Sequence, residues 1–332
     1  MPQALPSGHC TQFVRVATIL IGRNEGERLL ACLGSIPAGF GEVVYVDSGS
    51  TDDSIEAAKA SGAHVVELDT NIPFTAARAR NAGVAALQNP HEYLQFVDGD
   101  CALDPDWMQT AVKFLNEHPE AAVVCGRRRE RFPEASVYNA MCDVEWDTPI
   151  GQTKTTGGDA MMRASAFVAV GGFNPGLIAG EEPELCVRLR ALGWQVWRLD
   201  AEMTLHDAAM TRFSQYWSRS RRGGYAFAEG AVLHGRGAER HGVAGMLRAL
   251  IWGVGIPALI VAAALLIGQW SFYLALVYPA QLVRLALREG GSGFAWKRAF
   301  LLTIGKFAEA AGVLEYHVNR IRGKQRNLIE YK

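Results

Sequence analysis

Tyr93-Leu94-Gln95-Phe96-Val97 runs straight into Asp98-Gly99-Asp100, an apolar, strand-like segment ending in two carboxylates one glycine apart. Side chains alternate along a strand, so carboxylates at i and i+2 can point the same way, and Gly99 leaves room between them. Two hard oxygen donors at a strand's carboxyl end suit Mg²⁺ or Mn²⁺, and such a cation suits a diphosphate. Taken alone, the same residues also describe a turn with two solvated acids.

The elements around this motif argue for a site. Val43-Val44-Tyr45-Val46 ends in Asp47 and continues as Ser48-Gly49-Ser50-Thr51-Asp52; Val16-Ala17-Thr18-Ile19-Leu20-Ile21 runs into Gly22-Arg23-Asn24-Glu25. Helical patterns over Glu27–Ser35 and Asp53–Ser61 and a short strand over Ala63–Leu68 separate them. Strands alternating with helices predict βα units and a parallel sheet, whose ligands bind beyond the strands' carboxyl ends. Three strands that finish in polar or acidic residues therefore present them on one rim.

The chain has 332 residues, enough for one sizeable catalytic domain and something smaller. A formal net charge of −1 gives no general attraction for nucleic acid. Six scattered cysteines (Cys10, Cys32, Cys101, Cys125, Cys142, Cys186) form no Cys-x-x-Cys pair, which disfavours zinc and points to a reducing compartment. Residues 1–15 lack the basic start and apolar run of a secretory signal.

Asp47-Ser48-Gly49-Ser50-Thr51-Asp52, Ala79-Arg80-Asn81-Ala82-Gly83, Asp98-Gly99-Asp100 and Gly171-Gly172-Phe173 followed by Glu181-Glu182-Pro183-Glu184-Leu185 and Arg188 occur in an order that resembles family-2 glycosyltransferases of the GT-A fold. The likeness covers about Val14 to His206. It implies an α/β, Rossmann-like, mostly parallel catalytic domain, a nucleotide-diphosphate sugar donor, Mg²⁺ or Mn²⁺ on the Asp-x-Asp and a downstream carboxylate as base. On that footing Asp100 is the metal ligand, with Asp98 a second ligand or a ribose contact. Asp47 would meet the base or ribose, Glu25 the nucleotide, and Arg80 the base or a phosphate; a helix-surface cation is the alternative for Arg80. Glu182 is the expected base and Glu181 the other candidate, although relatives usually carry Glu-Asp there. Acids opening a helix at Pro183 would explain the pair without chemistry. Asp159 is expected to bind sugar hydroxyls or to serve a turn, and His206 to help hold metal or diphosphate or to be structural. Arg212, Arg219, Arg221 and Arg222, ahead of Gly223-Gly224, read as a loop closing over the diphosphate or as cations meeting lipid. A single base opposite the leaving group implies inversion. Gln215-Tyr216-Trp217-Ser218-Arg219 departs from the Gln-x-x-Arg-Trp of processive relatives, which implies one sugar per encounter.

Ala249 to Val283 contains no charged residue, a length that fits two helices joined near Gly268-Gln269-Trp270-Ser271. This predicts a tail over 1–13, a catalytic domain over 14–235, two membrane-spanning or re-entrant helices over 246–288, and an amphipathic helix with a basic tail over 295–332. Phe300, Leu301, Ile304, Phe307, Ala308, Ala311 and Leu314 share one face of that last helix, which would lie in the membrane interface or pack on the catalytic domain. Arg236, Arg240 and Arg248 before the apolar run, and Arg284 and Arg288 after it, place the catalytic domain on the cytosolic side of an inner membrane. The plan resembles bacterial enzymes that extend lipid-linked saccharides for exopolysaccharide, with UDP the expected nucleotide; direct transfer to a polyprenyl phosphate is the rival. A nucleotidyltransferase fits poorly, because Gly22-Arg23-Asn24-Glu25-Gly26 is not a triphosphate loop. A non-catalytic scaffold is opposed by the intact acids.

Overall fold

The computed structural model describes residues 16–323. Three βα units come first: β1 (Val16–Gly22) with α1 (Glu27–Gly34), β2 (Val43–Asp47) with α2 (Ser54–Ala60), and β3 (His64–Glu67) with α3 (Ala76–Ala85). Ile21, Val44 and Val46 pack with Ala79 of α3, while Leu20 and Tyr45 join the larger core with Leu29 and Cys32 of α1. Burial on both faces is why these strands read as continuous apolar runs rather than alternating ones. β4 (Tyr93–Asp98) lies on the other side of β1, so the parallel part of the sheet is ordered β3-β2-β1-β4. The order reverses between β1 and β4, and such a switch point opens a crevice at the strands' carboxyl ends. Asp98-Gly99-Asp100 stands at this crevice, with the Gly99 amide donating to Ile21 O at 2.9 Å.

The second half of the sheet is mixed. β5 (Cys101–Leu103), α4 (Trp107–Glu117), β6 (Ala121–Glu130) and α5 (Val137–Trp146) are followed by β7 (Gly151–Gln152), β8 (Ala160–Arg163) and α6 (Ala164–Ala169). After them come α7 (Glu181–Ala191) and β9 (Gln195–His206). β8 runs antiparallel between β4 and β6, so the chain just before it, Gly158-Asp159, arrives at the carboxyl end of β4. β5 pairs antiparallel with the end of β9, setting Cys101 opposite His206.

Beyond β9 the chain is helical: α8 (Phe213–His234), α9 (Val243–Leu250), a π-turn over Ile251–Gly255, α10 (Ile256–Leu266), a 3₁₀ segment Gln269–Leu276, α11 (Val277–Arg288) and α12 (Gly293–Arg322). The expected arginine-bearing loop is instead part of α8, which continues through Gly223-Gly224 for 22 residues. Of the two glycines, Gly224 serves packing. A Cβ on Gly224 would collide with the Glu309 carbonyl, and one on Gly312 with the Arg221 carbonyl, so α8 and α12 touch backbone to backbone. Gly312→Ala is expected to lower stability by about 1–3 kcal/mol, the range for overfilling a packed interface, seen as a lower Tm in detergent. The expected apolar face of α12 is divided: Leu301 and Ala308 are buried, whereas Phe300 and Leu314 are 51% and 48% exposed. Arg320 and Arg322 close α12, while Lys324 and Arg326 of the basic tail, like residues 1–13, lie outside the described residues.

Val243–Leu266 (24 residues, mean hydropathy 2.4) and Gln269–Arg288 (20 residues, 1.2) are long and apolar enough to cross a membrane. Leu265, Leu266 and Ile267 at their junction are 82%, 86% and 82% exposed, so no protein core covers them.

Candidate active site

A cavity of about 360 Å³ opens at the carboxyl ends of β1 and β4. Its walls include Glu25, Arg80, Asp98, Asp100, Glu181, Glu182, His206 and Arg222, residues from seven separate elements and loops. A second cavity, also about 360 Å³, adjoins it through the shared Arg23 and Phe74 and is walled by Ser48, Gly49 and the segment Leu68 to Pro73.

Arg80 organises the floor. It is 2% exposed, so it is no surface cation; α3 delivers it beneath the cavity. Its Nη2 donates to Asp98 Oδ1 at 2.8 Å, and its Nη1 to Glu181 Oε1 and Glu182 Oε1, each at 2.8 Å. Phe173 supports the guanidinium from 5.6 Å. Burial opposes its charge, but Glu182, Asp98 and Glu181 together hold it more firmly protonated than a free arginine. Gly158 gives this cluster room, because a Cβ there would sit 2.6 Å from Asp98 Oδ2 and 2.7 Å from Arg80 Nη2.

One arginine nitrogen is shared by the buried Glu181 and the partly buried Glu182. Burial, and then the neighbouring Glu181 carboxylate, push Glu182 up to about 7, beyond what Arg80 offsets. Glu184, the third acid of the segment, turns away to Arg188 (2.7 Å) and His234 (2.8 Å), where it ties α7 to α8.

On the opposite wall, His206 Nε2 lies 3.3 Å from Asp100 Oδ2, and Cys101 Sγ lies 3.7 Å from Asp100 Oδ1. Asp100, Cys101 and His206 form a donor group compact enough for one ion. Burial and then Arg128 hold His206 down to about 4, so its imidazole is neutral at neutral pH, and its buried Nδ1 has no hydrogen-bond partner. Asp98 does not join this group. Burial would raise its carboxyl, but Arg80, then Arg128 at 3.6 Å, keep it well below the usual carboxylate range.

Residues 18–167 match the model of glycosyl transferase family 2. An uncharacterized glycosyltransferase of Mycobacterium tuberculosis (strain H37Rv) is 31% identical over 192 residues, covering 56% of this chain and 83% of its own. Its counterpart in Mycobacterium bovis matches with the same figures. The chain is a family-2 glycosyltransferase. Among solved structures, a mannosyltransferase from Pyrobaculum calidifontis in complex with GDP-Man and Mn²⁺ superposes with a TM-score of 0.64 at 19% identity, over 92% of this chain and 88% of that one. Staphylococcus aureus TarS 1–349 superposes with a TM-score of 0.53 at 15% identity, over 93% and 92%. These likenesses identify the fold as GT-A, and in this chain two apolar C-terminal helices follow it.

In this glycosyltransferase two expected ligand contacts are internal struts. Asp47 is 1% exposed; its Oδ2 accepts from the Gly49 and Ser50 amides at 2.8 Å each, and its Oδ1 from the Tyr45 hydroxyl at 3.2 Å. It braces the loop beside the second cavity. Asp159, expected at sugar hydroxyls, is fully buried. It accepts from the Asp98 amide (3.0 Å) and Thr204 Oγ1 (2.8 Å) and forms an ion pair with Arg128, whose Nη2 lies 2.7 Å away, which fixes the turn carrying Asp98.

Arg128 and Trp146 belong to the site and carried no motif. Trp146, at the end of α5, meets His206 edge-on at 4.7 Å and lies against the Arg128 guanidinium at 5.5 Å. The available signal was the run Arg127-Arg128-Arg129 in a strand, where alternation turns the middle residue to the face opposite its neighbours. Arg127 accordingly reaches Asp143 and Arg129 reaches Glu202, while Arg128 enters the site. Arg219 lines the cavity and pairs with Glu145 of α5 at 2.8 Å; Arg221 pairs with Glu315 of α12 at 2.6 Å.

Proposed function

We propose that this glycosyltransferase moves one sugar, with inversion, from a nucleotide-diphosphate donor to a hydroxyl of a lipid-linked saccharide in cell-surface polysaccharide synthesis. The observation that carries the reading is the arrangement of the cavity: Asp100 and His206 on one wall, and Glu182, beside the Arg80–Asp98 pair, on another. The nucleotide would extend from Glu25 into the adjoining cavity, its base near Gly49 and the loop Leu68 to Phe74, with UDP the expected donor nucleotide.

A carboxylate oxygen and a neutral imidazole fit Mg²⁺ or Mn²⁺, whereas the Cys101 thiol, pushed well up by burial and by Asp159, is a poor donor to such ions. Asp100 and His206 would hold the ion; when bound, it neutralises charge on the departing diphosphate. Asp98 then serves as a positioning group, clamped by Arg80 and Arg128. Arg222 and Arg23 stand where they can donate to phosphate oxygens. Glu182 takes the proton from the acceptor hydroxyl as the new bond to the anomeric carbon forms, and the anomeric C–O bond's electrons leave with the nucleoside diphosphate.

The reading further has the catalytic domain on the cytosolic face of an inner membrane; the exposed apolar segments and their arginine flanks support it. Calorimetry with UDP, GDP and dTDP, with and without Mn²⁺, tests the donor and metal reading. Mn²⁺ should strengthen binding of one nucleotide at least tenfold, and Asp100→Asn should remove that gain while metal-free binding stays. Metal-independent binding in the parent protein would overturn the metal assignment.

A further inference from the structure

We propose that the apolar hairpin dips into the membrane from the cytosolic side and returns without crossing it. This rests on the membrane reading above and concerns only how the segment lies there. The base of the hairpin is fixed: Tyr278 Oη donates to the Trp252 carbonyl at 2.6 Å, and the two rings meet edge-on at 5.9 Å. Gly253 presses on α12 at Ala310 and Lys306, and Ala249 is fully buried, so the segment before Trp252 is held within the protein body.

From Trp252 to Ile267 the outward limb is helical and rises about 22 Å at ~1.5 Å per residue. Only eleven residues, Gly268 to Tyr278, bring the chain back, and eight of them form one 3₁₀ segment. At ~2.0 Å per residue this limb also covers about 20 Å. A 3₁₀ run this long is uncommon. Both limbs thus fall short of the ~30 Å hydrocarbon core, with the tip beyond the midplane.

The surroundings specify lipid as the occupant. Arg248, Arg284 and Arg288 are exposed around the base, where anionic headgroups would lie, and Gly268 to Tyr278 contains no charge. Phe300, Leu314 and Val318 (51%, 48% and 42% exposed) continue the apolar surface along α12.

The test uses the full chain with Cys10→Ser and Ser271→Cys, labelled with an environment-sensitive dye and added to preformed vesicles of phosphatidylethanolamine and phosphatidylglycerol. The five described native cysteines are buried. Expected is quenching several-fold stronger by lipids brominated deep in the acyl chain than by headgroup quenchers, with protection from dithionite on either side. Dithionite access only from the vesicle lumen would mean crossing and overturn the inference while sparing the membrane reading. Access from outside would sink both, and dye–dye contact without vesicles would assign the hairpin to a second copy instead.

Discussion

Glu182→Gln is expected to lower kcat for a hydroxyl acceptor by about 10²–10⁴-fold, the range for loss of a general base. Glutamine keeps the shape and can still accept from Arg80 Nη1, now 2.8 Å from the glutamate, so nucleotide affinity and Tm should change little. The parent enzyme should show the matching pH dependence. Burial and Glu181 hold this carboxyl near 7, and its working form is the ionised one. The rate should therefore fall about tenfold per pH unit below that value and level off above it, and the variant should lack this limb. Steady-state rates from pH 5 to 9 decide the matter. Full activity in Glu182→Gln would instead favour a polyprenyl phosphate acceptor, which brings its own anion and needs no base.

Arg80→Met should be the most damaging single change to stability. The guanidinium is 2% exposed and contacts three carboxylates at 2.8 Å each. Removing one partner from a buried ion cluster costs about 3–5 kcal/mol, because the remaining charges lose their compensation. The sign with pH follows. Without Arg80, the Glu182 carboxyl, already raised by burial and crowding, would lie further above its unfolded-state value, and Asp98 would lose its foremost cationic partner. The folded state then binds protons more tightly, so the variant's deficit should be largest above neutrality and shrink as pH falls toward 5. Denaturant melts in detergent across that range measure it, and a deficit independent of pH would mean that lost packing alone is responsible. Transfer should fail too, since Asp98 and Glu182 are positioned by the same side chain.

Much of the framework was legible in the residues. Apolar runs ending in Gly22, Asp47 and Asp98, each followed by a polar turn and separated by helical patterns, determined parallel βα units with their functional rim at one end. Local patterning suffices there, because a strand buried on both faces must be apolar and its end must be polar. The uncharged stretch after Ala249 likewise fixed an apolar hairpin on composition alone.

Only the folded chain decided how each acid is used. Asp47 and Asp159 are the same residue type as Asp98 and Asp100, yet two amides and a tyrosine hydroxyl engage the first, and Arg128, Thr204 and the Asp98 amide engage the second. The partners of Asp159 come from three other strands, so spacing could not assign them, whereas Asp47 is engaged by its own near neighbours in the chain. Asp98 and Asp100 part company because Arg80 and Arg128 arrive under one of them and His206, through the β5–β9 pairing, beside the other. Likewise Gly223-Gly224 looks like a break in one dimension, yet lies in a helix interior, where α12 takes the space a side chain on Gly224 would fill. The sequence by itself determined which groups gather at the rim; tertiary contacts decided which face the cavity and which hold the rim in place, since charge pairing at a few ångströms depends on neighbours remote in the chain.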